Sequence, residues 1–286
     1  MVKHLALVLV LAAATAGCGP QSAGKPVIAA SFYPLAWIAQ QVAGDRAKVV
    51  NLTSPGTEPH DLELTVSQTA TVTNARVVFY EAGLQPSVDA AVENTTGKVA
   101  EVSAFVGLLP AARGKGTDPH VWLDPTQMSK IANGFTATLI AADPDGEETY
   151  RSGLAVLQRQ LAQLDREWQR GLSTCTTRTV IVSHDAFEYL GRRYDLTIVP
   201  IAGVSPDAEP SAQQLAKVKQ IAQDAKVTTI FTEPLVSSAL ADTLAKDLGV
   251  TTQVLTPIEN EPGGEADYLS LMRGNLALLR TANGCS

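Results

Sequence analysis

The segment Glu147–Arg170, EETYRSGLAVLQRQLAQLDREWQR, decides the fold that we predict for this chain of 286 residues. Its large apolar side chains recur at steps of three and four residues: Leu154, Leu157, Leu161, Leu164 and Trp168. Charged and amide side chains fill the positions between them, so the pattern predicts one amphipathic helix of about six turns. Such a helix is longer than a link between neighbouring strands requires. It therefore predicts a rigid spacer between two lobes.

Short β-branched segments and helical patterns alternate on both sides of this helix. The predicted strands before it are Val27–Ser31, Lys48–Leu52, Arg76–Tyr80 and Lys98–Val102, and those after it are Thr179–Ser183, Thr197–Ile201, Thr228–Thr232 and Thr252–Leu255. This alternation is typical of an α/β fold with mainly parallel sheets. We predict an N-terminal α/β lobe at 26–143, a connecting helix at 144–174 and a C-terminal α/β lobe at 175–286, with a ligand cleft between the lobes.

The composition is that of a folded globular protein, with 45% apolar and 18% charged residues. A formal net charge of −7 argues against a nucleic-acid partner, because proteins that bind nucleic acids generally present a basic face. No apolar run after the first twenty residues reaches the length of about 18 that a membrane-spanning helix needs.

The N-terminus has the features of an export signal. Lys3 and His4 precede the apolar run Leu5–Ala14, and small residues follow up to Cys18. We predict a signal peptide at 1–17 and a lipidated tether at 18–25, with Cys18 as the acylated residue, because a cysteine at this point resembles bacterial lipoprotein signals. Thr15 departs from that pattern, which prefers leucine, and an ordinary signal cut nearby is the alternative.

The other two cysteines are predicted to form a disulfide. With Cys18 acylated, Cys175 and Cys285 remain as an even pair in an oxidising compartment. Two free buried thiols are the alternative. A thiolate zinc site is less favoured, because neither cysteine has a second one within ligand spacing.

Three histidines carry the candidate chemistry. The chain has four, and His4 lies in the predicted signal, which leaves His60, His120 and His184. Each follows the C-terminal end of a predicted strand, which is the edge that forms the ligand crevice in parallel sheets. Three imidazoles from two lobes suit a divalent ion such as Zn²⁺. For each histidine alone, a capping or surface position is the alternative.

Carboxylates stand next to each histidine in the sequence. Those that could orient the rings through the nitrogen facing away from a metal are Glu58, Asp61, Asp118, Asp124 and Asp185.

Several separate motifs resemble the zinc and manganese solute-binding proteins of ABC transporters. They are Phe32–Leu35 (FYPL), Gly56–Asp61 (GTEPHD), Asp118–Pro125 (DPHVWLDP), Val182–Phe187 (VSHDAF) and Phe231–Pro234 (FTEP). The resemblance implies two α/β lobes, one connecting helix and one transition-metal ion between the lobes. It also implies that His60, His120 and His184 are metal ligands. A carboxylate usually takes the place of His184 in the manganese branch, so the chain resembles the zinc branch.

Two features depart from that family pattern. The segment Ala111–Asp118 contains no histidine, whereas many zinc-binding relatives have a histidine-rich loop there. Thr256 stands where the family commonly has an aspartate as fourth ligand. Glu259 in the same loop is our first candidate for that ligand, Glu233 the second and a water molecule the third. A solvated loop charge is the alternative role for Glu259.

The resemblance implies a solute-binding protein and no enzymatic activity. We expect a monomer, lipid-anchored on the outer face of the cytoplasmic membrane, that captures Zn²⁺, or less favourably Mn²⁺, and delivers it to an ABC-transporter permease. A metal chaperone is a further candidate partner. The alternatives are an extracellular zinc hydrolase and a manganese-binding protein or adhesin of the same family.

Overall fold

The computed structural model describes residues 24–111, 116–206 and 209–286. The predicted signal peptide and Cys18 lie outside these residues. The described part contains two four-stranded sheets, each with all its strands parallel, and a short antiparallel hairpin. The predicted α/β architecture is confirmed.

The first sheet belongs to the N-terminal half. Its strands are β1 (Val27–Ala30), β2 (Lys48–Asn51), β3 (Val77–Tyr80) and β4 (Lys98–Glu101), in the order β2-β1-β3-β4. The helices around it are α1 (Tyr33–Ala43), α2 (Val66–Asn74) and α3 (Pro86–Val92). Alternate residues of β1 and β3 face two different apolar clusters, as expected for a parallel sheet covered on both faces.

A hairpin and a helix lead out of this sheet. Strands β5 (Leu109–Pro110) and β6 (Thr117–Asp118) pair antiparallel, and α4 (Pro125–Ala142) follows. The second strand forms the C-terminal end of the segment Ala111–Asp118 and leads directly to His120.

The second sheet repeats the topology of the first. Its elements are β7 (Thr179–Val182), α6 (Glu188–Tyr194), β8 (Thr197–Pro200), α7 (Ala212–Asp224), β9 (Thr229–Thr232), α8 (Ala239–Leu248), β10 (Thr251–Val254) and α9 (Tyr268–Ala282). The strand order β8-β7-β9-β10 corresponds to β2-β1-β3-β4 in the first sheet. The lobe boundaries near residues 143 and 175 stay predictions.

The predicted long helix is α5 (Glu147–Gly171), 25 residues that link the two lobes. Leu157, Leu161, Leu164 and Trp168 are buried, as the apolar pattern predicts, whereas Leu154 is partly buried. The helix packs against α1, α4 and α9, and its apolar face belongs to one core that contains residues of both lobes. It is therefore part of a continuous core as well as a spacer.

A disulfide joins Cys175 to Cys285 and so ties the start of the C-terminal half to the residues after α9. This pairing confirms the prediction of a disulfide bond. The two cysteines are 110 residues apart in the sequence. In the chain-entropy model, closing a loop of this size stabilises the fold by about 4–5 kcal/mol. Within the described residues, no helix combines the length and apolarity needed to cross a membrane.

Gly153 allows α5 to lie directly on α1. A Cβ atom at this position would meet the carbonyl oxygens of Val42 at 2.5 Å and Gln41 at 2.6 Å. We expect Gly153→Ala to lower the free energy of unfolding by about 1–3 kcal/mol, although alanine favours helices, because these backbone atoms cannot move without separating the two helices. Urea denaturation measures the change. Ser152→Ala, at the exposed neighbouring position, is the control, and a Gly153→Ala protein as stable as this control would contradict the prediction.

Candidate metal centre

Four side chains from both lobes meet between the sheets. One potential ligand atom from each of His60, His120, His184 and Glu259 lies within 4.8 Å of the other three. His60 and His120 come from the N-terminal half, and His184 and Glu259 from the C-terminal half. The structure therefore brings together the three histidines and the first candidate for the fourth ligand.

His60 lies in a single helical turn, Pro59–Asp61, that follows β2. Its backbone N–H donates to Glu58 Oε1, which caps the turn, at 3.2 Å. The His60 side chain is 12% exposed, compared with 0%, 1% and 3% for His120, His184 and Glu259. The centre is therefore nearest to solvent on the His60 side. Burial, and secondly the charge of Glu259, raise the pKa of Glu58 to about 7.

His120 is fixed by the carboxylate two residues before it. Asp118 Oδ1 lies 2.7 Å from Nδ1 of the ring and accepts a hydrogen bond from the His120 backbone N–H at 3.0 Å. This leaves Nε2 facing the centre. Burial disfavours the charged ring, but the hydrogen bonds to Asp118 and Glu259 outweigh it and raise the pKa of His120 to about 10.

His184 has an equivalent support from the C-terminal half. Its Nδ1 lies 2.6 Å from Glu233 Oε2, and its backbone N–H donates to Glu233 Oε1 at 3.2 Å. The Ser183 hydroxyl donates to the same carboxylate. Glu233, our second candidate for the fourth ligand, therefore lies on the side of His184 that faces away from the centre, where a carboxylate orients the ring.

Glu259 faces the imidazoles. Its Oε1 lies 3.4 Å from Nε2 of His120 and 3.9 Å from Nε2 of both His60 and His184. Burial by itself disfavours the carboxylate, but the hydrogen bond to His120 and the charges of the three imidazoles lower the pKa of Glu259 below its usual range. Glu259 is buried in the structure, which argues against the alternative of a solvated loop charge.

The spacing of the four ligand atoms suits zinc. Tetrahedral zinc with bonds of about 2.0–2.1 Å requires ligand atoms about 3.3–3.4 Å apart. The two Nε2 atoms of His120 and His184 are 3.3 Å apart, and Nε2 of His120 is 3.4 Å from Oε1 of Glu259. Oε1 of Glu259 is 3.9 Å from Nε2 of both His60 and His184, and bringing these two pairs to the tetrahedral distance needs side-chain movements below 1 Å.

The other carboxylates next to the histidines do not join this group. Asp118 supports His120, as described. Asp124 caps the N-terminus of α4, where its Oδ1 accepts a hydrogen bond from the Thr126 backbone N–H at 2.7 Å. Asp61 and Asp185 lie beside His60 and His184 in the sequence but are not members of the cluster.

Several aromatic residues that sequence reasoning missed join the lobes around the centre. Trp122 Nε1–H donates to the Pro257 carbonyl at 2.7 Å, and the Tyr268 hydroxyl donates to the Trp122 carbonyl at 2.5 Å. The Tyr189 hydroxyl donates to the Asp118 carbonyl at 2.9 Å. These bonds attach the His120 segment to the C-terminal half. No sequence signal marked these contacts, because the partners of Trp122 are 135 and 146 residues away.

Two parallel α/β lobes joined by one helix, with three imidazoles and a carboxylate between them, define a two-lobed protein with a candidate transition-metal centre. The sequence profile of the ZnuA family, described as zinc-uptake complex component A, periplasmic, matches residues 28–282. The chain belongs to this family.

Two relatives show how far the similarity extends. The zinc-binding lipoprotein AdcA of Streptococcus pneumoniae (strain R6) is 34% identical over 282 residues, which cover 91% of this chain and 56% of AdcA. The chain thus spans about half the length of that relative. The high-affinity zinc uptake system protein ZnuA of Bacillus subtilis (strain 168) is 31% identical over 287 residues, which cover 93% of this chain and 90% of that protein.

A solved structure supports the same assignment. The Zn(II)-bound ZnuA-like domain of AdcA from Streptococcus pneumoniae superposes with a TM-score of 0.78 at 35% identity. The match covers 91% of this chain and 99% of that domain. The two-lobed fold is therefore the fold of this family.

The raised pKa of His120 predicts that zinc binding releases a proton. A pKa of about 10 predicts a protonated His120 ring at neutral pH in the metal-free protein, and a zinc ion bound to Nε2 would displace that proton. We expect release of about one proton from His120 at pH 8, and zinc affinity that falls about tenfold for each unit of acidification below pH 10. Calorimetry in two buffers with different ionisation enthalpies counts the protons.

The control is Asp118→Asn. Without the Asp118 charge the pKa of His120 falls, so this variant should release fewer protons at pH 8. Binding enthalpies that are the same in both buffers for the unsubstituted protein, or an affinity that does not change between pH 5.5 and 7.5, would contradict the prediction.

Proposed function

We propose that this protein captures Zn²⁺ outside the cytoplasm and delivers it to the permease of an ABC transporter. The observation that carries the proposal is the convergence of His60, His120, His184 and Glu259 from both lobes. In this proposal all four are zinc ligands. Membership of the zinc-uptake family and the zinc-binding relatives support it.

The ligand chemistry favours zinc over manganese. Zinc binds readily to imidazole nitrogens and accepts a carboxylate oxygen, whereas manganese favours sites dominated by oxygen. Three nitrogens and one oxygen within 4.8 Å of one another match the first preference. The solved relative that carries Zn(II) has the same fold, which supports zinc as the cargo.

The carboxylates on the far side of the rings explain how the site can be preorganised in the metal-free protein. Asp118 and Glu233 hold the Nδ1 side of His120 and His184, so each Nε2 faces the centre. Such partners fix the tautomer and raise the basicity of the ligand. Because the rings are already oriented, binding requires little ordering of side chains.

The continuous core limits how the ion can be released. The apolar cluster that includes α5 contains residues of both lobes, and Trp122, Tyr189 and Tyr268 tie the His120 segment to the C-terminal half. We therefore expect release through local movement or a small rigid shift of the lobes rather than wide hinge opening. The permease, acting on the cleft face, is the proposed receiver.

The zinc hydrolase alternative is less well supported than metal capture and delivery. A zinc hydrolase needs a general base with access to a substrate beside the metal. Glu233 is bonded to His184 and Ser183, and Glu259 is surrounded by the imidazoles. Substrate hydrolysis by the pure zinc-loaded protein that disappears with a chelator would favour this alternative.

The histidine ligands predict a graded loss of zinc affinity. We expect His60→Ala, His120→Ala and His184→Ala each to weaken zinc binding by more than about 100-fold, and Glu259→Ala by about tenfold, because a water molecule can take the place of one oxygen ligand. Competition calorimetry against a chelator of known affinity measures the series. Glu261→Ala, an exposed carboxylate two residues after Glu259, is the matched control. An unchanged zinc isotherm for any histidine variant would contradict the proposed site.

The proposed location predicts a lipid on Cys18. We propose that residues 1–17 are removed as a signal peptide, that Cys18 becomes the acylated N-terminus and that residues 18–25 tether the lobes to the membrane. Mass spectrometry of the protein from membrane fractions should show a diacyl or triacyl mass on Cys18, and Cys18→Ser should move the protein to the soluble fraction. Membrane-derived protein with an unmodified Cys18 would refute the anchor without affecting the metal site.

We further propose that the protein is a monomer and that a metal chaperone is a candidate partner.

A further inference from the structure

The segment that carries Glu259 contains a backbone conformation that few residues adopt. Ile258 has φ of +59°, although it is neither glycine nor asparagine. A β-branched residue in the left-handed region is strained, and it persists only where the surroundings hold it. Ile258 is 1% exposed and directly precedes Glu259. The direction of the Glu259 side chain therefore depends on whatever maintains this conformation.

A buried amide holds the segment. Asn275 Oδ1 accepts a hydrogen bond from the Thr256 backbone N–H at 3.2 Å, and Asn275 Nδ2–H donates to the Thr256 carbonyl at 2.7 Å. Because one side chain pairs with both polar groups of one peptide residue, no apolar residue could replace it without leaving two backbone groups unpaired. Asn275 lies on α9 and is 2% exposed.

Two further hydrogen bonds complete the support. The Thr256 hydroxyl accepts from the Ile258 backbone N–H at 3.0 Å, which stabilises the turn that contains the strained residue. Trp122 Nε1–H donates to the Pro257 carbonyl at 2.7 Å. Each residue of the run from Thr256 to Ile258 is therefore held through its backbone by a side chain.

Glu259 needs this support more than His184 does. His184 follows β7 by two residues, so the sheet itself limits its position, whereas Glu259 lies five residues beyond the end of β10. A ligand is effective only when held within about 0.5 Å of its productive position. Oε1 of Glu259 is 3.4 Å from Nε2 of His120, and a relaxed segment would lose that approach.

We infer that Asn275 is a positioning residue for the fourth metal ligand. It acts through Thr256 and the left-handed conformation of Ile258, and it aims the Glu259 carboxylate at the three imidazoles. This inference rests on the proposed metal site and adds a residue from α9, outside the motifs that resemble the family.

A double-mutant cycle on zinc affinity tests the inference. We expect Asn275→Ala to weaken zinc binding by about three- to tenfold and Glu259→Gln by about tenfold, because a positioning residue cannot contribute more than the ligand it positions. In the Glu259→Gln background, adding Asn275→Ala should change the affinity by less than about twofold, because the group that Asn275 positions is already lost. Chelator competition measures all four proteins.

Bound Co²⁺ gives a second measurement that a merely structural role would not change. The visible absorption of Co²⁺ is intense in tetrahedral sites and weak when the coordination number rises. Asn275→Ala and Glu259→Gln should therefore reduce this absorption to a similar extent. Leu279→Ala, which removes another buried side chain of α9, is the matched control: it should lower thermal stability but leave zinc affinity within about twofold.

The outcomes separate this inference from the proposed function. If Glu259→Gln weakens binding and Asn275→Ala does not, or if the two effects simply add, the inference is overturned and the metal site stands. If Glu259→Gln has no effect, the inference fails while the histidine variants still decide the function. If Asn275→Ala does not fold, Thr256→Val, which removes only the hydroxyl that accepts from Ile258, replaces it in the same cycle with the same expectation.

Discussion

The structure depends on one constraint: the candidate ligand atoms supplied by opposite halves of the chain must lie within 4.8 Å of one another. Two lobes that moved independently could not keep Nε2 of His120 3.3 Å from Nε2 of His184. A continuous apolar core meets this requirement, because it includes α5 and residues of both lobes. The hydrogen bonds of Trp122 and Tyr268 then fix the His120 segment against the C-terminal half. A rigid connection between the lobes is thus a condition for the candidate metal centre.

Charge is arranged around the centre in two shells. Glu259 faces the three imidazoles directly, while Asp118 and Glu233 bind the far sides of His120 and His184. The inner carboxylate can compensate the charge of a dication, and the outer ones keep the rings in the orientation that binds it. Without a metal, Asp118 and Glu259 raise the pKa of His120 and so favour its protonated form. The arrangement therefore favours a positive charge at this position, and in the proposed function a zinc ion would compete with a proton for it.

Features that depend on residues close together in the sequence could be predicted, whereas features that depend on contacts between distant residues could not. The strands and the histidines at their ends were predictable because they depend on local β-branched runs and on the rule that parallel sheets bind ligands at their C-terminal edge. Glu259 could be named only as a candidate, because nothing local distinguishes it from a surface charge. The roles of Trp122 and Asn275 were not predictable. The bonding partners of Trp122 are more than 130 residues away, and Asn275 is a polar residue on the buried face of α9 whose partner, the Thr256 backbone, lies outside the helix.

The amino-acid sequence alone determined two α/β lobes, the amphipathic helix between them, the paired cysteines and three imidazoles at the C-terminal ends of strands. The lobes and the helix follow from the periodicity of apolar residues. The cysteines and histidines are residue types that have few structural or chemical roles. Only the tertiary structure decided that Glu233 supports a ring while Glu259 faces the centre, that α5 belongs to a shared core, and that α9 holds the Glu259 segment. Those outcomes depend on differences of an ångström or two between side chains brought together from distant parts of the chain. No local pattern encodes such distances.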